Sequence, residues 1–198
     1  MPVRHIAVLV ALLAIFAATA ASASATALRT DPSGATVAAG ATVMAGVGDV
    51  VFMTGAGGTC GQSSLNMVVG ASGGSLITAT LTSMTFVGCG CQKAPNVTVP
   101  MTIATTDVVL HNLYLQCVLN TGAGVCYYLT VAATGTVENR PFGAALRFVS
   151  PVNFVHSVPP GVTGDAGALC GATGSWSTRG FTELTTGTPG TKVTVAAV

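Results

Sequence analysis

The sequence predicts an all-β fold, an antiparallel sandwich or a barrel-like sheet, stapled by disulfides after an N-terminal signal peptide. Three observations predict it: an apolar leader, an even number of cysteines, and short β-rich runs separated by turn residues. No amphipathic helical stripe of useful length follows the leader. The spacing of the runs is typical of sandwiches and barrels.

The leader has the anatomy of a secretory signal peptide. Arg4 supplies a positive start, residues 6–18 are apolar, and Ala25 ends a small-x-small cleavage signal. We expect cleavage after Ala25, with Ala23 and Ala27 as neighbouring options. A retained anchor helix is the alternative, although the apolar run is shorter than the roughly 20 residues that span a bilayer.

The sequence therefore divides into a signal peptide, residues 1–25, and a single secreted β domain, residues 26–198. The secreted part has six basic and six acidic residues, so its net charge is near zero. Binding to nucleic acid or to an anionic membrane surface requires clustered Lys and Arg, and the sequence has no such cluster. A weakly charged surface gives little repulsion between copies and favours association.

Candidate strands follow the leader in order, each a β-rich run bounded by Gly, Pro, Asn or Asp. They are Thr36–Met44, Asp49–Met53, Leu65–Val69, Ser75–Val87, Val97–Thr105, Val108–Leu119, Val125–Val137, Ala144–Val149, Val152–Val155, Gly174–Arg179 and Lys192–Ala197.

Three of these runs carry detail about register and pairing. In the run from Ser75, apolar residues alternate with threonines until Ser83, after which the apolar parity is inverted. A β-bulge near Thr82–Ser83 would keep both halves facing the core, and two separate strands are the alternative. The runs on either side of Asn120–Gly124 form a predicted hairpin.

The six cysteines all lie in the secreted part, where oxidation is the default, so we expect three disulfides. They are Cys60, Cys89, Cys91, Cys117, Cys126 and Cys170. Cys89 and Cys91 are two residues apart, share a strand face and should bond different partners. The preferred set is Cys60–Cys89, Cys91–Cys117 and Cys126–Cys170. The main rival is a local bridge between Cys117 and Cys126.

Metal and redox chemistry are poorly supported. Zinc sites favour paired Cys-x2-Cys motifs with nearby histidines, whereas the sequence has one Cys-x-Cys, and His111 and His156 lie in different segments. A redox-active Cys-x-x-Cys is absent. We expect no metal and no cofactor.

The order of these features resembles a known group of exported proteins. Cys60, the run "ITATLTSMTFVGC" ending at Cys89, "VTVPMTI", "VCYYLTVAATGTV" and the late Cys170 resemble secreted bacterial alkane-oxidation-activator (PraB-like) proteins and similar exported actinobacterial β proteins. The resemblance covers residues 57–195, with Val99-Pro100-Met101 where the family often has Leu-Pro-Trp. It implies a secreted β protein at the cell surface or in the medium, and it implies no catalytic residue.

Catalytic motifs are weak. Residues 70–74 match G-x-S-x-G around Ser72, but a nucleophile elbow needs a following helix, and here a β run follows. His111 and His156 could act as general bases only beside an acid or hydroxyl; Asp107 is too far along a straight strand to orient His111.

Two other kinds of site need residues to converge in space. A glycosidase needs two acids facing one cleft, and the six acids are isolated in sequence. The aromatic residues are more typical of core or cross-strand positions than of a sugar- or apolar-ligand platform. The platform candidates are Trp176, Tyr114, Tyr127 and Tyr128. We expect no catalytic residue.

The function that these observations favour is a non-enzymatic surface or extracellular-matrix protein that acts through association or adhesion. Its expected partners are cell-envelope material or further copies of itself, with no nucleic acid and no transmembrane helix in the mature chain. The alternatives are a secreted hydrolase with a noncanonical site and a membrane-inserted β-barrel. The second alternative lacks the aromatic girdles that such proteins carry.

Overall fold

The structure, a computed structural model, describes residues 25–198 except 48–49, 55–57, 61, 120–121, 123, 142, 179–181 and 188–190. The predicted signal peptide, apart from Ala25, lies outside the described residues, as does most of the Asn120–Gly124 turn. The strands are β1 Thr26–Asp31, β2 Thr42–Val47, β3 Val50–Thr54, β4 Gly58–Cys60, β5 Gln62–Ala71, β6 Ile77–Val87, β7 Cys91–Lys93, β8 Val99–Ile103, β9 Asp107–Val118, β10 Val125–Arg140, β11 Gly143–Arg147, β12 Val152–His156, β13 Thr173–Thr178, β14 Thr182–Thr186 and β15 Lys192–Ala197.

The all-β prediction is confirmed: the fifteen strands form one antiparallel sheet, and the only helical segment in the described part is the 3-10 turn Gly167–Leu169. Strands β2 to β14 make up eight continuous strand paths, because some short strands follow one another along the same line of the sheet. The paths are β2–β3, β4–β5, β6, β7–β8, β9, β10, β11–β12 and β13–β14, each paired with the next.

The last of these eight paths pairs with the first, so the sheet closes on itself. Leu184 of β14 lies opposite Ala45 of β2, and Trp176 of β13 lies opposite Phe52 of β3. Closure removes the unpaired edges that would otherwise recruit another chain. Of the two architectures that the sequence allows, the barrel-like one is formed.

The closed sheet encloses one apolar core. Alternate residues of each path point inward, as the period of two requires, and Trp176 is 1% exposed at its centre. The Trp176 indole contacts the rings of Phe86 and Phe148 at centroid distances of 5.8 and 4.8 Å. A core of this size supplies the apolar burial that a chain of this length needs.

The β-bulge predicted near Thr82–Ser83 is confirmed. Asn66 pairs with Ser83 while Met67 pairs with Leu81, so Thr82 is the inserted residue, and its hydroxyl donates to the Asn66 carbonyl at 3.0 Å. The insertion explains why the buried positions of β6 change parity and yet face the same core. The alternative of two separate strands is wrong.

A second parity change, on β9 and β10, is absent from the sequence prediction. The buried residues switch parity at Asn112 on β9 and at Val131 on β10, which lie at the same level of the ladder. Asn112 has a φ of 52°, a conformation that asparagine tolerates better than most residues. Because both strands insert one residue together, the cross-strand register is kept and both halves still face inward.

Four strands are also absent from the prediction: β1, β4, β7 and β14. Conversely, one predicted strand is too long at its start. The run predicted from Thr36 becomes a strand only at Thr42, because Gly40 turns the chain with a φ of 84°. Asp49 and Arg179, at the ends of two predicted strands, lie outside the described residues.

A two-stranded ribbon of β1 and β15 covers one end of the closed sheet. Its buried side chains include Leu28 and Val195, and the side-chain amide of Asn139 on β10 both donates to the Val195 carbonyl and accepts from its N–H. Loops contact the outer edge of β1: Val37 donates to Leu28, and Leu28 donates to the Ser72 hydroxyl. The outer edge of β1 is therefore covered by these loops.

Three disulfides lie at the opposite end. Cys60 bonds Cys89, Cys91 bonds Cys117, and Cys126 bonds Cys170, which is the pairing preferred from the sequence. The rival bridge does not form, although Cys117 and Cys126 lie directly opposite each other on β9 and β10. Among the described residues, no helix is long and apolar enough to cross a membrane.

Candidate functional site

The most chemically distinctive cluster lies at the disulfide-bearing end of the closed sheet. His156 ends β12 with the inward parity of Val152 and Phe154, and Asp165 lies in the long loop that follows. We call residues 157–170 the strap, because they connect β12 to Cys170 across this end. The mouths of closed sheets are common places for binding sites.

His156 and Asp165 form a close pair. The His156 Nε2 atom lies 3.0 Å from Asp165 Oδ1 and 3.1 Å from Oδ2, so Nε2 carries the proton and donates to the carboxylate. The side chains are 25% and 13% exposed, respectively. The Tyr128 ring packs edge-on against the imidazole at a centroid distance of 6.0 Å. The imidazole of His156 is therefore held on one side by the carboxylate and on another by an aromatic ring.

Backbone groups fix the carboxylate in turn. Gly167 donates its N–H to Asp165 Oδ2 at 2.8 Å, and the backbone of Tyr127 also interacts with the carboxylate. Burial alone would raise the pKa of Asp165, but the hydrogen bonds from His156, Gly167 and Tyr127 outweigh it, and the net pKa is lowered. Asp165 is therefore a stable anion.

The Tyr128 hydroxyl has the opposite shift. Burial raises the pKa of Tyr128, a backbone hydrogen bond from Gly171 partly offsets this, and the negative charge of Asp165 raises it further. Tyr128 is thus a neutral phenol, which suits packing and hydrogen bonding rather than acid–base chemistry near neutral pH.

The strap is attached to β10 by bonds that imitate a strand. Ser157 donates to the Tyr127 carbonyl at 3.0 Å, and Ala166 donates to the Val125 carbonyl at 2.8 Å. The Cys126–Cys170 disulfide fixes its far end. The His156–Asp165 pair lies between these attachments and adds a side-chain contact that holds the strap against the sheet.

The cluster contains two parts of a catalytic triad. An acid beside a histidine orients the ring, but a triad also needs a nucleophile at the other ring nitrogen. Within the described part of the chain, no hydroxyl or thiol is hydrogen-bonded to His156 Nδ1. The arrangement can position an imidazole without activating a nucleophile.

Cys170 does not complete a metal site. The donor atoms of His156, Asp165 and Cys170 lie within 4.8 Å of one another. However, the Cys170 sulfur is bonded to Cys126, and a disulfide sulfur lacks the negative charge that makes thiolate a strong ligand. The two remaining donors are fewer than a structural or catalytic zinc site uses.

The other candidate residues from the sequence lie elsewhere. His111 is on the outer face of β9, with its Nε2 atom 3.2 Å from the Thr102 hydroxyl, and Asp107 bonds Thr106 instead. Ser72 follows β5 and precedes β6, so the G-x-S-x-G segment joins two strands, and the hydroxyl accepts a hydrogen bond from Leu28. Neither residue joins the His156 cluster.

The four aromatic residues considered as a platform are divided between the two faces of the sheet. Trp176 and Tyr128 point inward and are buried. Tyr114 and Tyr127 lie on the outer face, where Tyr114 is opposite Leu129 and Tyr127 is opposite Gln116. Tyr127 is nevertheless 6% exposed, so only Tyr114 of the four could contribute to a surface platform.

Asp165 is the residue that the sequence analysis did not connect with His156. The two lie nine residues apart on either side of the Pro-rich segment "SVPPG", and the return of the strap brings them together. The only sequence signal is indirect: an acid and a histidine flank a turn-forming segment and precede a disulfide cysteine.

Comparison with known proteins adds no assignment: the chain matches no protein-family model, no curated protein and no solved structure.

Proposed function

We propose that this is an exported protein, related to the PraB-like group that it resembles, which acts at the cell surface or in the extracellular matrix through noncovalent association. Its partners are cell-envelope material or further copies of the chain. The closed, disulfide-bonded sheet supports this proposal because three disulfides are stable only in an oxidising compartment.

The observation that carries the proposal is the distribution of charge. Strands β5, β6 and β8 contain no ionisable residue, and their outward positions are mainly hydroxyl and amide side chains. We call this face, the outward positions of β5, β6 and β8, the hydroxyl wall. Five charged residues are gathered instead around β10, β11, β14 and β15: Glu138, Arg140, Arg147, Glu183 and Lys192.

A neutral wall can lie against another neutral surface without the cost of desolvating charges. Transfer of an unpaired charge from water into an interface costs several kcal/mol, whereas a hydroxyl can exchange one hydrogen bond for another. Two side-chain hydrogen bonds cross between strands on the wall, Ser64–Thr85 and Asn66–Ser83, both at 2.8 Å. The wall therefore presents an ordered neutral surface.

The test is fractionation of producing cells combined with cosedimentation of the purified mature protein with isolated envelopes. We expect the protein in the envelope or matrix fraction and in the pellet. Thr80→Lys places a charge on the hydroxyl wall and should weaken pelleting, whereas Ala197→Lys adds the same charge on β15 and should not. A protein that stays in the supernatant and remains monomeric would remove the proposal.

A hydrolase is the second candidate, because the structure places His156 beside an acid. Turnover of ester or peptide substrates by the purified protein, abolished in His156→Gln and retained in the strap variant Thr163→Ala, would favour this candidate over association.

A further inference from the structure

The outer face of β9, β10 and β12 carries an apolar patch with a rim of amides. Its centre is formed by Tyr114, Leu129, Val131 and Val155, and its rim by Gln92, Gln116, Asn112 and Asn153. We call these eight residues the amide-rimmed patch. Val131 and Val155 are 69% and 54% exposed, which makes Val131 the most exposed large hydrophobic residue in the described part of the chain.

The register places these residues side by side. Tyr114 of β9 lies opposite Leu129 of β10, which lies opposite Val155 of β12. Two residues further along β9, Gln116 lies opposite Gln92 of the neighbouring strand β7. Neighbouring strands are about 4.8 Å apart and same-face residues about 7 Å apart, so the side chains form one contiguous surface.

The exposure of Val131 follows from the paired insertion described above. Val131 and Asn112 lie at the same level and project to the same face, as does the next pair, Ala132 and His111, whereas in a regular ladder one of these two pairs would point inward. The insertion therefore enlarges the patch by one apolar and one amide side chain.

The patch has no charged member. Lys93 of β7 lies next to Gln92 but is opposite the inward residue Leu115, so it does not belong to the outer face. Its Nζ donates to the carbonyls of Ala94 and Val97. Burial also lowers the pKa of Lys93. A ligand on the patch therefore meets aromatic and aliphatic groups in the centre and carboxamides around them.

Carboxamides carry both donors and acceptors, which matches hydroxyl groups that both donate and accept. The Gln116 Oε1 atom is buried and has no hydrogen-bond partner among the described residues, so the amides open to a ligand are those of Gln92, Asn112 and Asn153. A tyrosine ring offers a flat apolar surface with a polar tip. Together these groups suit the alternating C–H faces and hydroxyl edges of a sugar ring.

The size of the patch separates a glycan from a second protein copy. Four strands and three levels of side chains span about 14 Å by 14 Å, or roughly 200 Å². A stable protein interface needs roughly 800 Å² on each partner. An area of roughly 200 Å² instead accommodates two or three sugar rings.

We infer that the amide-rimmed patch binds a neutral polysaccharide chain, with Tyr114 as the stacking residue and the surrounding amides as hydrogen-bonding groups. This inference rests on the proposed function and names the chemistry of the envelope or matrix material that the protein contacts.

The experiment is native affinity electrophoresis of the disulfide-bonded mature protein in gels containing hydroxyethyl cellulose, laminarin or dextran, followed by titration with cellohexaose, laminarihexaose or isomaltohexaose. We expect retardation by at least one polymer, unchanged in 0.5 M NaCl because no charge takes part. Tyr114→Ala should weaken binding at least tenfold, and the milder, exposed variant Gln92→Ala about threefold. Thr36→Ala, an exposed residue in the loop that covers β1, is the matched control and should bind like the wild type.

Absence of retardation by all three polymers would overturn the inference, as would equal binding by Tyr114→Ala and Thr36→Ala. A concentration-dependent dimer that Val131→Asp dissociates would assign the patch to self-association instead, and would also overturn it. If no polymer binds but the protein still pellets with envelopes, this inference fails while the proposed function stands. If it neither binds nor pellets, both fail.

Discussion

The disulfide that fixes the strap should make a large and calculable contribution to stability. Cys126 and Cys170 are separated by 44 residues, and their loop overlaps neither of the other two disulfide loops. In the chain-entropy treatment, a loop of this length removes about 13 cal/mol/K from the unfolded chain, or about 4 kcal/mol at 25 °C. That is a large part of the roughly 5–15 kcal/mol that stabilises a typical domain.

The double variant Cys126→Ala/Cys170→Ala should therefore lose about 4 kcal/mol in urea unfolding, with the midpoint of thermal unfolding lowered by roughly 8–16 °C for a chain of this size. The urea m-value should rise, because the unfolded chain becomes more expanded. The matched control is Thr163→Ala, an exposed strap residue, which should change stability by less than about 0.5 kcal/mol. A loss below about 1 kcal/mol in the double variant would refute the reasoning, because it would mean that the strap is held without the crosslink.

Three further predictions concern single side chains. Asn139→Ala removes both hydrogen bonds to Val195 and should cost about 2 kcal/mol in urea unfolding, whereas Asn153→Ala, an exposed asparagine, should be nearly neutral; equal effects would contradict the capping of β15. The lowered pKa of Asp165 stabilises the fold above the ordinary carboxyl pKa of about 3.9, and this stability is lost as the pH falls through the lowered folded value. The stability difference between wild type and Asp165→Asn, measured by urea unfolding, should therefore be largest above about pH 5 and shrink towards pH 2.5; a difference that grows in acid would have the wrong sign. Gly135→Ala should cost more than about 2 kcal/mol by calorimetry, because its methyl group would lie 2.7 Å from the Arg147 carbonyl and 2.8 Å from Phe148, while Gly46→Ala has open space and should cost little.

Much of the fold follows from local chemistry that the sequence displays. The parity inversion around Ser83 predicts a bulge, because an inserted residue keeps Leu81 and Met84 on one face of a single strand; the structure decides between this and two separate strands. The two-residue spacing of Cys89 and Cys91 disfavours a bond between them but leaves Cys117–Cys126 open as a rival pairing. The expected shared strand face is wrong, because Cys89 lies in the turn between β6 and β7, where Gly88 and Gly90 have positive φ.

The paired insertion at Asn112 and Val131 could not be read in the same way. Each strand by itself shows only an irregular alternation, and the compensation is visible once the two strands are aligned across the ladder. The asparagine is the one local signal, since its side chain tolerates a positive φ.

The candidate sites depend still more on tertiary structure. Asp165 reaches His156 because the strap returns along β10, and no periodic pattern encodes that return. The amide-rimmed patch is likewise assembled from four strands, so its members are scattered between residues 92 and 155. Sequence reasoning grouped Tyr114 with Tyr127, Tyr128 and Trp176 as platform candidates, and the last three are buried in the structure.

Peptide mapping of the protein isolated from its producing cells, under non-reducing conditions, tests the central proposal most directly, namely that an oxidised closed sheet operates outside the cytoplasm. The protein isolated from the envelope or medium should contain no free thiol and three crosslinked peptide pairs, joining Cys60 to Cys89, Cys91 to Cys117 and Cys126 to Cys170. Free sulfhydryls in that material, or a peptide linking Cys117 to Cys126, would contradict the account.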